Sequence, residues 1–418
     1  MKRVLALGAL LALGIGAAQD APEVVPVGTL FDYTGALAEF GPAHQNAAEL
    51  AASQINAAAQ EVLGGPIMEL IHEDSATSPS QGVDRARKLV DTDGVPAIVG
   101  SLASGVTINV AESVTIPSQV VQISPASTSP LLSVLEDDGY LFRTTSSDAL
   151  QGVVAAQLAR GEIFEDYAFD TAATIYENSP YGQGLSEAFA NAFEARGGTV
   201  TAQVAHPTEP QPTYTAQLEE VFAGDPEVVV AIGYPGQATV YLAEARDLFG
   251  FTTFQYVDGT QSEEIIAAIG AEALEGKLGT SPGSDPDWEG FQRFTAMYEE
   301  AYGVRPPLPF MDSAYDATAV IGLAIAKAQI DGVEVTGTTL QDLVREVANP
   351  PGEAVGVGDF EEALRLLQMG TEIAYTGAAS DVTFDEVGDV ITSVEIWQYA
   401  GGTIESLVTR TADEIPTE

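Results

Sequence analysis

Two hydroxyl-rich segments are the parts of this sequence best suited to chemistry. Residues 100–105 (Gly-Ser-Leu-Ala-Ser-Gly) follow an apolar run that ends at Val99, and residues 124–130 (Ser-Pro-Ala-Ser-Thr-Ser-Pro) follow a second run, 120–123. Free backbone N–H groups and a helix N-terminus at the end of a strand favour an anion such as a carboxylate. N-capping explains either segment alone, but the presence of two favours a site for a small anionic group.

Motifs for catalysis or for a cofactor are incomplete. Residues 270–277 imitate a phosphate-binding loop, but five residues separate the glycines where four are needed, and Leu278 replaces the metal-binding hydroxyl. Residues 182–184 (Gly-Gln-Gly) lack the third glycine of a dinucleotide fingerprint. Residues 91–94 lack the later ligands of a calcium loop. We therefore expect a protein that is not an enzyme and that needs no cofactor.

Composition excludes further classes. The chain has 418 residues and a formal charge of −45, from 16 Lys and Arg against 61 Asp and Glu. Nucleic acids and anionic lipids are bound mainly through Lys and Arg, so neither is an expected partner. There are no cysteines and only three histidines, none four residues from another, which argues against a zinc site. With 45% hydrophobic residues the chain is expected to be globular, and we hypothesise that its acidity suits a high-salt or desiccating environment.

Short apolar runs alternate with longer stretches of helical periodicity, which is typical of βαβ units around a parallel sheet. Predicted strands are 24–31, 67–71, 97–99, 120–123, 172–175 and 228–232. The pattern runs through 24–143 and again through 172–280, which predicts an α/β fold of two doubly wound lobes with a cleft between them. Four helices without intervening strands (288–302, 310–329, 339–348 and 360–369) and two strands (382–384 and 394–399) are then expected to cover the existing sheets.

The first residues predict a cleavable signal peptide over 1–18. Lys2 and Arg3 precede an apolar run over 4–15 that is too short to span a bilayer, and small residues lead to Ala18. We expect a periplasmic or secreted protein without direct membrane insertion. Because the chain has no cysteine, we do not expect a lipoprotein.

A series of segments, in order along the chain, resembles the leucine/isoleucine/valine-binding family of periplasmic binding proteins. The segments are 28–41, 54–56, 64–65, Asp74, 99–101, 123–130, 142–145, 181–184, 258–259 and 383–389. The resemblance implies a type I binding-protein fold, with two lobes joined by three crossovers around a ligand cleft. Lobe 1 would comprise 22–147 and 283–388, and lobe 2 would comprise 148–282 and 389–418. Such a protein closes on a small ligand and delivers it to an ABC permease of the inner membrane, and we expect it to be a monomer.

The resemblance also implies a set of ligand-binding residues. Ser104 and Thr128 match positions that bind the α-carboxylate of an amino acid, and the carbonyl of Ala126 matches an acceptor for its α-ammonium. Asp258 matches an acidic partner of that ammonium, which is Glu in the family's leucine binder. Four aromatic residues match positions around the ligand, namely Phe40, Tyr181, Tyr234 and Phe310. A zwitterion taken out of water needs both charges paired, and this set supplies that pairing and an apolar wall.

Alternatives to a branched-chain or similar aliphatic amino acid remain open. Members of the family bind amides, urea, aromatic acids or hydroxy acids, and Asp258 is one methylene shorter than the family's Glu. The leucine binder also has a disulfide near its first ligand loop, where this chain has Ala103 beside Ser104. The expected function is ABC import of an amino acid. The alternatives are another small ligand in the same fold or a sensor that docks on a membrane receptor.

Overall fold

The computed structural model describes residues 21–415 of the chain. These residues fold into two large β-sheets that are covered by helices. The predicted signal peptide lies outside these residues. No helix within 21–415 combines the length and the hydrophobicity that crossing a membrane requires. The α/β fold class is confirmed, since each sheet is built mainly from parallel strands with helical connections.

The first sheet belongs to the predicted lobe 1. Its five parallel strands are β1 (Val25–Phe31), β2 (Met68–Asp74), β3 (Ala97–Gly100), β4 (Val121–Ser124) and β5 (Leu141–Arg143). They lie in the order β2-β1-β3-β4-β5, which is a doubly wound arrangement. The helices between them are α1 (Phe40–Val62), α2 (Pro79–Arg87), α3 (Ser104–Val110) and α4 (Ile116–Ser118). The π-helical turns Lys88–Thr92 and Ala111–Thr115 extend α2 and α3.

The second sheet belongs to the predicted lobe 2. Its parallel strands are β6 (Thr171–Glu177), β7 (Thr199–His206), β8 (Val228–Ile232), β9 (Phe254–Val257) and β10 (Leu278–Gly283). The helices of this part are α5 (Asp148–Ala159), α6 (Pro180–Ala195), α7 (Thr215–Phe222), α8 (Pro235–Glu244), α9 (Glu263–Ile269) and α10 (Ala271–Leu274). Every residue of β8 is buried, as expected for an apolar strand with helices on both faces.

The rest of the chain completes both lobes. Its elements are α11 (Glu289–Tyr302), α12 (Met311–Asp331), α13 (Gly337–Ala348), β11 (Glu353–Gly356), α14 (Phe360–Gln368), β12 (Ile373–Thr376), β13 (Ser393–Ala400) and β14 (Thr403–Arg410). Strand β13 adds antiparallel to β10, and β14 adds antiparallel to β13, which gives the order β14-β13-β10-β9-β8-β6-β7. Helix α12 packs so closely on α1 that a Cβ at Gly322 would lie 2.5 Å from Cδ1 of Ile55.

Two predictions for this last part were wrong. The predicted strand 382–384 pairs with no strand of the described chain, because the side chain of Asn349 satisfies both backbone groups of Phe384. Phe384 N donates to Asn349 Oδ1 at 3.0 Å, and Asn349 Nδ2 donates to Phe384 O at 2.6 Å. Phe384 packs instead on Phe142, with 5.1 Å between ring centroids. The four helices are also not free of intervening strands, because the short parallel pair β11 and β12 flanks α14.

The chain passes between the two predicted lobes three times, over 144–147, 284–288 and 377–392, because the helices that follow β10 return to pack on elements of lobe 1 such as α1. The lobe boundaries predicted at 147, 282 and 388 fall in or beside these segments, and they remain predictions. Loop segments that connect two lobes are the residues that usually absorb the backbone rotation of a hinge.

Candidate functional site

A small cavity lies between the two lobes, where strands of both sheets end. It is lined by Leu37, Phe40, Leu102, Ser104, Ala126, Tyr181, Tyr234, Asp258, Gly259 and Phe310. Most of these residues lie just beyond the carboxyl ends of β1, β3, β4, β6, β8 and β9. The cavity measures ≈ 20 Å³, which is room for about one water molecule. A molecule the size of an amino acid therefore fits only if the walls move apart.

Two larger cavities of the described chain lie away from the strand ends that meet at this cavity. One of ≈ 530 Å³ lies along α6 and is lined largely by apolar residues such as Leu131, Val153 and Ala192. Another, of ≈ 670 Å³, lies at the amino-terminal end of lobe 1 around Glu23 and Gln329. We place the candidate site in the ≈ 20 Å³ cavity because the buried carboxylate of Asp258 and strand ends from both lobes converge there.

Seven of the eight predicted ligand-binding residues line this cavity. They are Phe40, Ser104, Ala126, Tyr181, Tyr234, Asp258 and Phe310. The eighth, Thr128, is outside the cavity wall and only 1% exposed, and its hydroxyl donates to Asp148 Oδ2 at 3.0 Å. The structure thus brings seven of these residues together, whereas their roles toward a ligand remain predictions.

Hydrogen bonds join the two hydroxyl-rich segments, 100–105 and 124–130. Ser124 Oγ donates to the carbonyl of Ser101 at 2.6 Å, and the hydroxyls of Thr107 and Ser127 lie 2.8 Å apart. Ser129 N donates to Ser104 Oγ at 3.2 Å. Most of these hydroxyl groups therefore shape the loops, and Ser104, at the start of α3, is the one that reaches the cavity.

Two parallel tyrosine rings form the lobe 2 wall. The rings of Tyr181 and Tyr234 are stacked, with centroids 5.4 Å apart and an interplanar angle of 4°. Tyr181 is held in the first turn of α6, where Ser179 Oγ accepts from the backbone N–H of Gly182 at 3.3 Å. Burial raises the pKa of both phenols well above the usual value, so both are neutral and Tyr181 donates its hydrogen bond.

Asp258 is a buried carboxylate with hydrogen-bond donors around it. Tyr181 OH donates to Asp258 Oδ1 at 3.0 Å, and Gln151 Nε2 donates to the same oxygen at 2.8 Å. Burial raises the pKa of Asp258, and these two hydrogen bonds oppose part of that rise. Within residues 21–415, no cationic side chain forms an ion pair with Asp258. An unpaired carboxylate in this position favours a cationic ligand group.

Sequence reasoning missed a second buried carboxylate beside this site. Asp148 begins α5 directly after the N-cap residue Ser147, so its sequence context shows only a helix start. It is 0% exposed, and its Oδ1 has no hydrogen-bond partner among residues 21–415. Burial is the main cause of its strongly raised pKa, and the charge of Asp258 raises it further.

Sequence reasoning also missed Arg143, which fixes the loop 124–130. Its side chain is 1% exposed and forms an ion pair with Asp389, to which Nε donates at 2.7 Å. Nη1 donates to the carbonyl of Ser129 at 3.0 Å, and Nη2 donates to Ser133 Oγ at 2.7 Å. Arg143 thus ties a cavity-lining loop to the third connection between the lobes.

Gly259 allows the tyrosine pair to approach Asp258, and its replacement by Ala should disturb the site. A Cβ at Gly259 would lie 2.4 Å from Gly233 O, 3.0 Å from Tyr181 OH and 3.1 Å from Tyr234 Cδ1. We expect Gly259→Ala to change the near-ultraviolet circular dichroism of the tyrosines and to weaken ligand binding about tenfold, or ~1.4 kcal/mol.

The matched control for this substitution is Gly283→Ala. A Cβ at Gly283 would meet no atom closer than 3.6 Å, so we expect unchanged binding and an unchanged spectrum. If Gly259→Ala binds the ligand as tightly as the wild type, ligand binding does not depend on the observed position of the tyrosine pair.

Comparisons with known proteins agree with this architecture. The family model described as "Periplasmic binding protein" matches residues 24–359. The "Chemotactic signal transduction system substrate-binding protein BasB" of Halobacterium salinarum is 26% identical over 405 residues, covering 92% of this chain and 89% of the relative. The "Leu/Ile/Val-binding protein BraC3" of Rhizobium johnstonii is 28% identical over 337 residues, covering 80% of this chain and 88% of the relative.

A solved structure shows the same fold. The branched-chain amino acid transporter substrate binding protein LivJ from Streptococcus pneumoniae, in complex with isoleucine, superposes with a TM-score of 0.73 at 22% identity, covering 93% of this chain and 99% of that chain. The resemblance found in the sequence is thereby confirmed. The chain belongs to the periplasmic binding proteins of type I, in the leucine/isoleucine/valine-binding family, whose members bind ligands and are not enzymes.

Proposed function

We propose that this chain is the extracytoplasmic substrate-binding protein of an ABC importer and that it binds a branched-chain or similar aliphatic L-amino acid. The observation that carries the proposal is Asp258, a buried carboxylate without a cationic partner among the described residues, in a cavity whose other walls are mainly aromatic and apolar. A buried charge needs a partner, and an α-ammonium group supplies one.

Each part of such a ligand has a counterpart in the cavity. The ammonium group would pair with Asp258 and donate to the carbonyl of Ala126. The carboxylate would face Ser104 at the N-terminus of α3, where the free N–H groups and the helix dipole favour an anion. The aliphatic side chain would pack among aromatic and aliphatic residues from lobe 1, namely Leu37, Phe40, Leu102 and Phe310.

Hinge closure would place the ligand between the lobes. Several polar contacts join the lobes beside the cavity; among them, Ser129 Oγ donates to the carbonyl of Pro180 at 2.8 Å, and Ser262 Oγ donates to Glu39 Oε2. These contacts must break when the lobes separate to admit a ligand. The closed arrangement buries the ligand charges away from water, which strengthens their pairing with the protein.

Titration with amino acids and their analogues tests this proposal. Protein that has been unfolded, freed of bound ligand and refolded should bind L-leucine, L-isoleucine or L-valine with 1:1 stoichiometry in isothermal titration calorimetry. Analogues of leucine that lack one charged group, 4-methylpentanoate and 3-methylbutylamine, should bind far more weakly. Binding of none of the L-amino acids would contradict the proposed ligand class, and mass spectrometry of ligand released by denaturation would identify the actual one.

A sensory role is the second candidate, and one observation favours it. The relative BasB, which matches most of this chain, is named as the substrate-binding protein of a chemotactic signal transduction system. The two roles share the same ligand site and differ in the membrane partner. Adjacent genes for permeases and ATPases would support import, and an adjacent gene for a membrane receptor would support sensing.

A further inference from the structure

A single side chain, that of Phe310, is common to the walls of two cavities between the lobes. It lines the ligand cavity of ≈ 20 Å³ and also a second cavity of ≈ 390 Å³, and the two walls share no other residue within 21–415. We propose that Phe310 is a specificity-determining residue that closes off the second cavity and so excludes amino acids with long cationic side chains. This inference rests on the function proposed above, because it states which amino acids the same site rejects.

The second cavity lies between the beginning of α12 and the strands β13 and β14 of lobe 2. Its polar wall contains Asp312, in the first turn of α12, and Glu395, in β13. Neither carboxyl group forms an ion pair with a cationic side chain of residues 21–415. Arg305 also lines the cavity, but it is exposed, so water screens its charge. The cavity therefore favours a cationic group and disfavours an anionic one.

The backbone around Phe310 holds its ring in place between the two cavities. Phe310 precedes α12 in the left-handed region, with φ of 65° and ψ of 6°, and its carbonyl accepts from the backbone N–H of Ala314 at 3.0 Å. The run 306–309 (Pro-Pro-Leu-Pro) restricts the preceding chain, because proline fixes φ. The side chain is 6% exposed, yet it is not part of the large apolar core that contains the next residue, Met311. Phe310 thus serves as a cavity wall more than as a core residue.

This wall decides whether an arginine side chain finds a partner for its charge. Arginine is longer than leucine, and its guanidinium group is costly to bury unless it is paired. The α-ammonium group would already occupy Asp258, the one acidic residue of the ligand cavity wall. With Phe310 in place, no carboxyl group of that wall remains for the guanidinium group. Without the ring, the guanidinium group would reach the cavity that contains Asp312 and Glu395. Burial raises the pKa of both carboxyl groups, and a nearby cation favours their ionised forms.

Isothermal titration with L-leucine, L-arginine and L-glutamate tests the role of Phe310. The wild type should bind L-leucine at least ~100-fold more tightly than L-arginine. Phe310→Ala should bind L-leucine about tenfold more weakly and L-arginine at least ~10-fold more tightly than the wild type does. It should not gain L-glutamate, because the second cavity is acidic. Phe310→Gly should show the same gain, and its backbone readily adopts a φ of 65°.

Two further variants locate the arginine side chain. The matched control is Phe291→Ala, which removes a phenyl ring from the second cavity alone and should leave both affinities of the wild type unchanged. In the Phe310→Ala background, Glu395→Gln removes a carboxyl group of the second cavity. It should weaken L-arginine binding about tenfold and leave L-leucine binding unchanged.

Three results would overturn this proposal while leaving the proposed function intact. The wild type could bind L-arginine as tightly as L-leucine, which needs no variant to observe. Folded Phe310→Ala and Phe310→Gly could show no gain of L-arginine, or the gain could persist undiminished after Glu395→Gln. If the wild type binds no L-amino acid, the proposed function fails instead, and a gain of L-arginine by Phe310→Ala then decides whether Phe310 closes off the second cavity.

Discussion

Replacing Asp258 by Asn is expected to weaken amino-acid binding by at least ~100-fold without unfolding the protein. Removing one partner of a buried charge pair changes affinity by about 2 to 5 kcal/mol, and 100-fold corresponds to ~2.7 kcal/mol. The amide oxygen of Asn still accepts hydrogen bonds, so Gln151 and Tyr181 keep a partner in place of Asp258 Oδ1. The loss should therefore fall on the ligand's ammonium group.

Isothermal titration with L-leucine measures this loss, and Glu395→Gln is the control for removal of a partly buried carboxyl group outside the cavity. Asp258→Glu tests the length of the side chain, because Glu is the residue expected at this position from the family resemblance. Its extra methylene must fit beside a cavity of ≈ 20 Å³, so we expect weaker binding than in the wild type but stronger than in Asp258→Asn. Unchanged affinity in Asp258→Asn would show that the ligand lacks an ammonium group at this point.

The elements that could be predicted from the sequence are those with a strong local pattern. The continuous apolar run of β8 and the long apolar helix α12 are both buried as expected. Strand β7 was not among the predicted strands, because polar residues recur along it and most of its residues are only partly buried or exposed. The segment 382–384 has an apolar pattern typical of a strand, yet a single side chain, Asn349, satisfies the backbone there. No local pattern reveals such a contact.

The residues of the candidate site also fall into those that the sequence could indicate and those that it could not. Most of the residues that line the cavity follow strand ends, and the family resemblance indicated seven of them. Asp148 and Arg143 were missed because their environment depends on distant partners: Gln151, one turn after Asp148, meets Asp258 across 107 positions, and Arg143 meets Asp389 across 246. Within their own segments, the two residues read as a helix start and a strand end. Only the assembled fold shows that both are buried.

The acidity of the chain acts on stability more than on ligand binding. Nine cationic side chains of the described residues form ion pairs with carboxylates: Arg85, Lys88, Arg143, Arg160, Arg196, Arg246, Arg293, Lys327 and Arg365. The whole chain has only 16 Lys and Arg for 61 Asp and Glu. Most carboxylates therefore lack a cation and repel one another across the surface. This repulsion destabilises the compact state, and salt screens it.

We therefore expect the melting temperature to rise by roughly 5 to 10 °C between 10 mM and 1 M KCl, equivalent to about 2 to 4 kcal/mol for lobes of this size. The Debye length falls from about 30 Å to about 3 Å over that range, so repulsion across a lobe is replaced by repulsion between near neighbours only. Chloride is preferred to sulfate in this measurement because sulfate also stabilises proteins by exclusion from their surface.

A variant in which two acidic residues are replaced by neutral ones distinguishes screening of charge repulsion from other effects of salt. Glu299 and Glu300 are exposed in the last turn of α11, where negative charge also opposes the helix dipole, and neither forms an ion pair within the described chain. The double substitution Glu299→Gln and Glu300→Gln should raise the melting temperature at 10 mM KCl and leave it nearly unchanged at 1 M, because salt already screens these two charges there. A melting temperature that does not respond to KCl would mean that the acidic surface does not destabilise the fold. The charge of −45 would then need an explanation other than adaptation to salt.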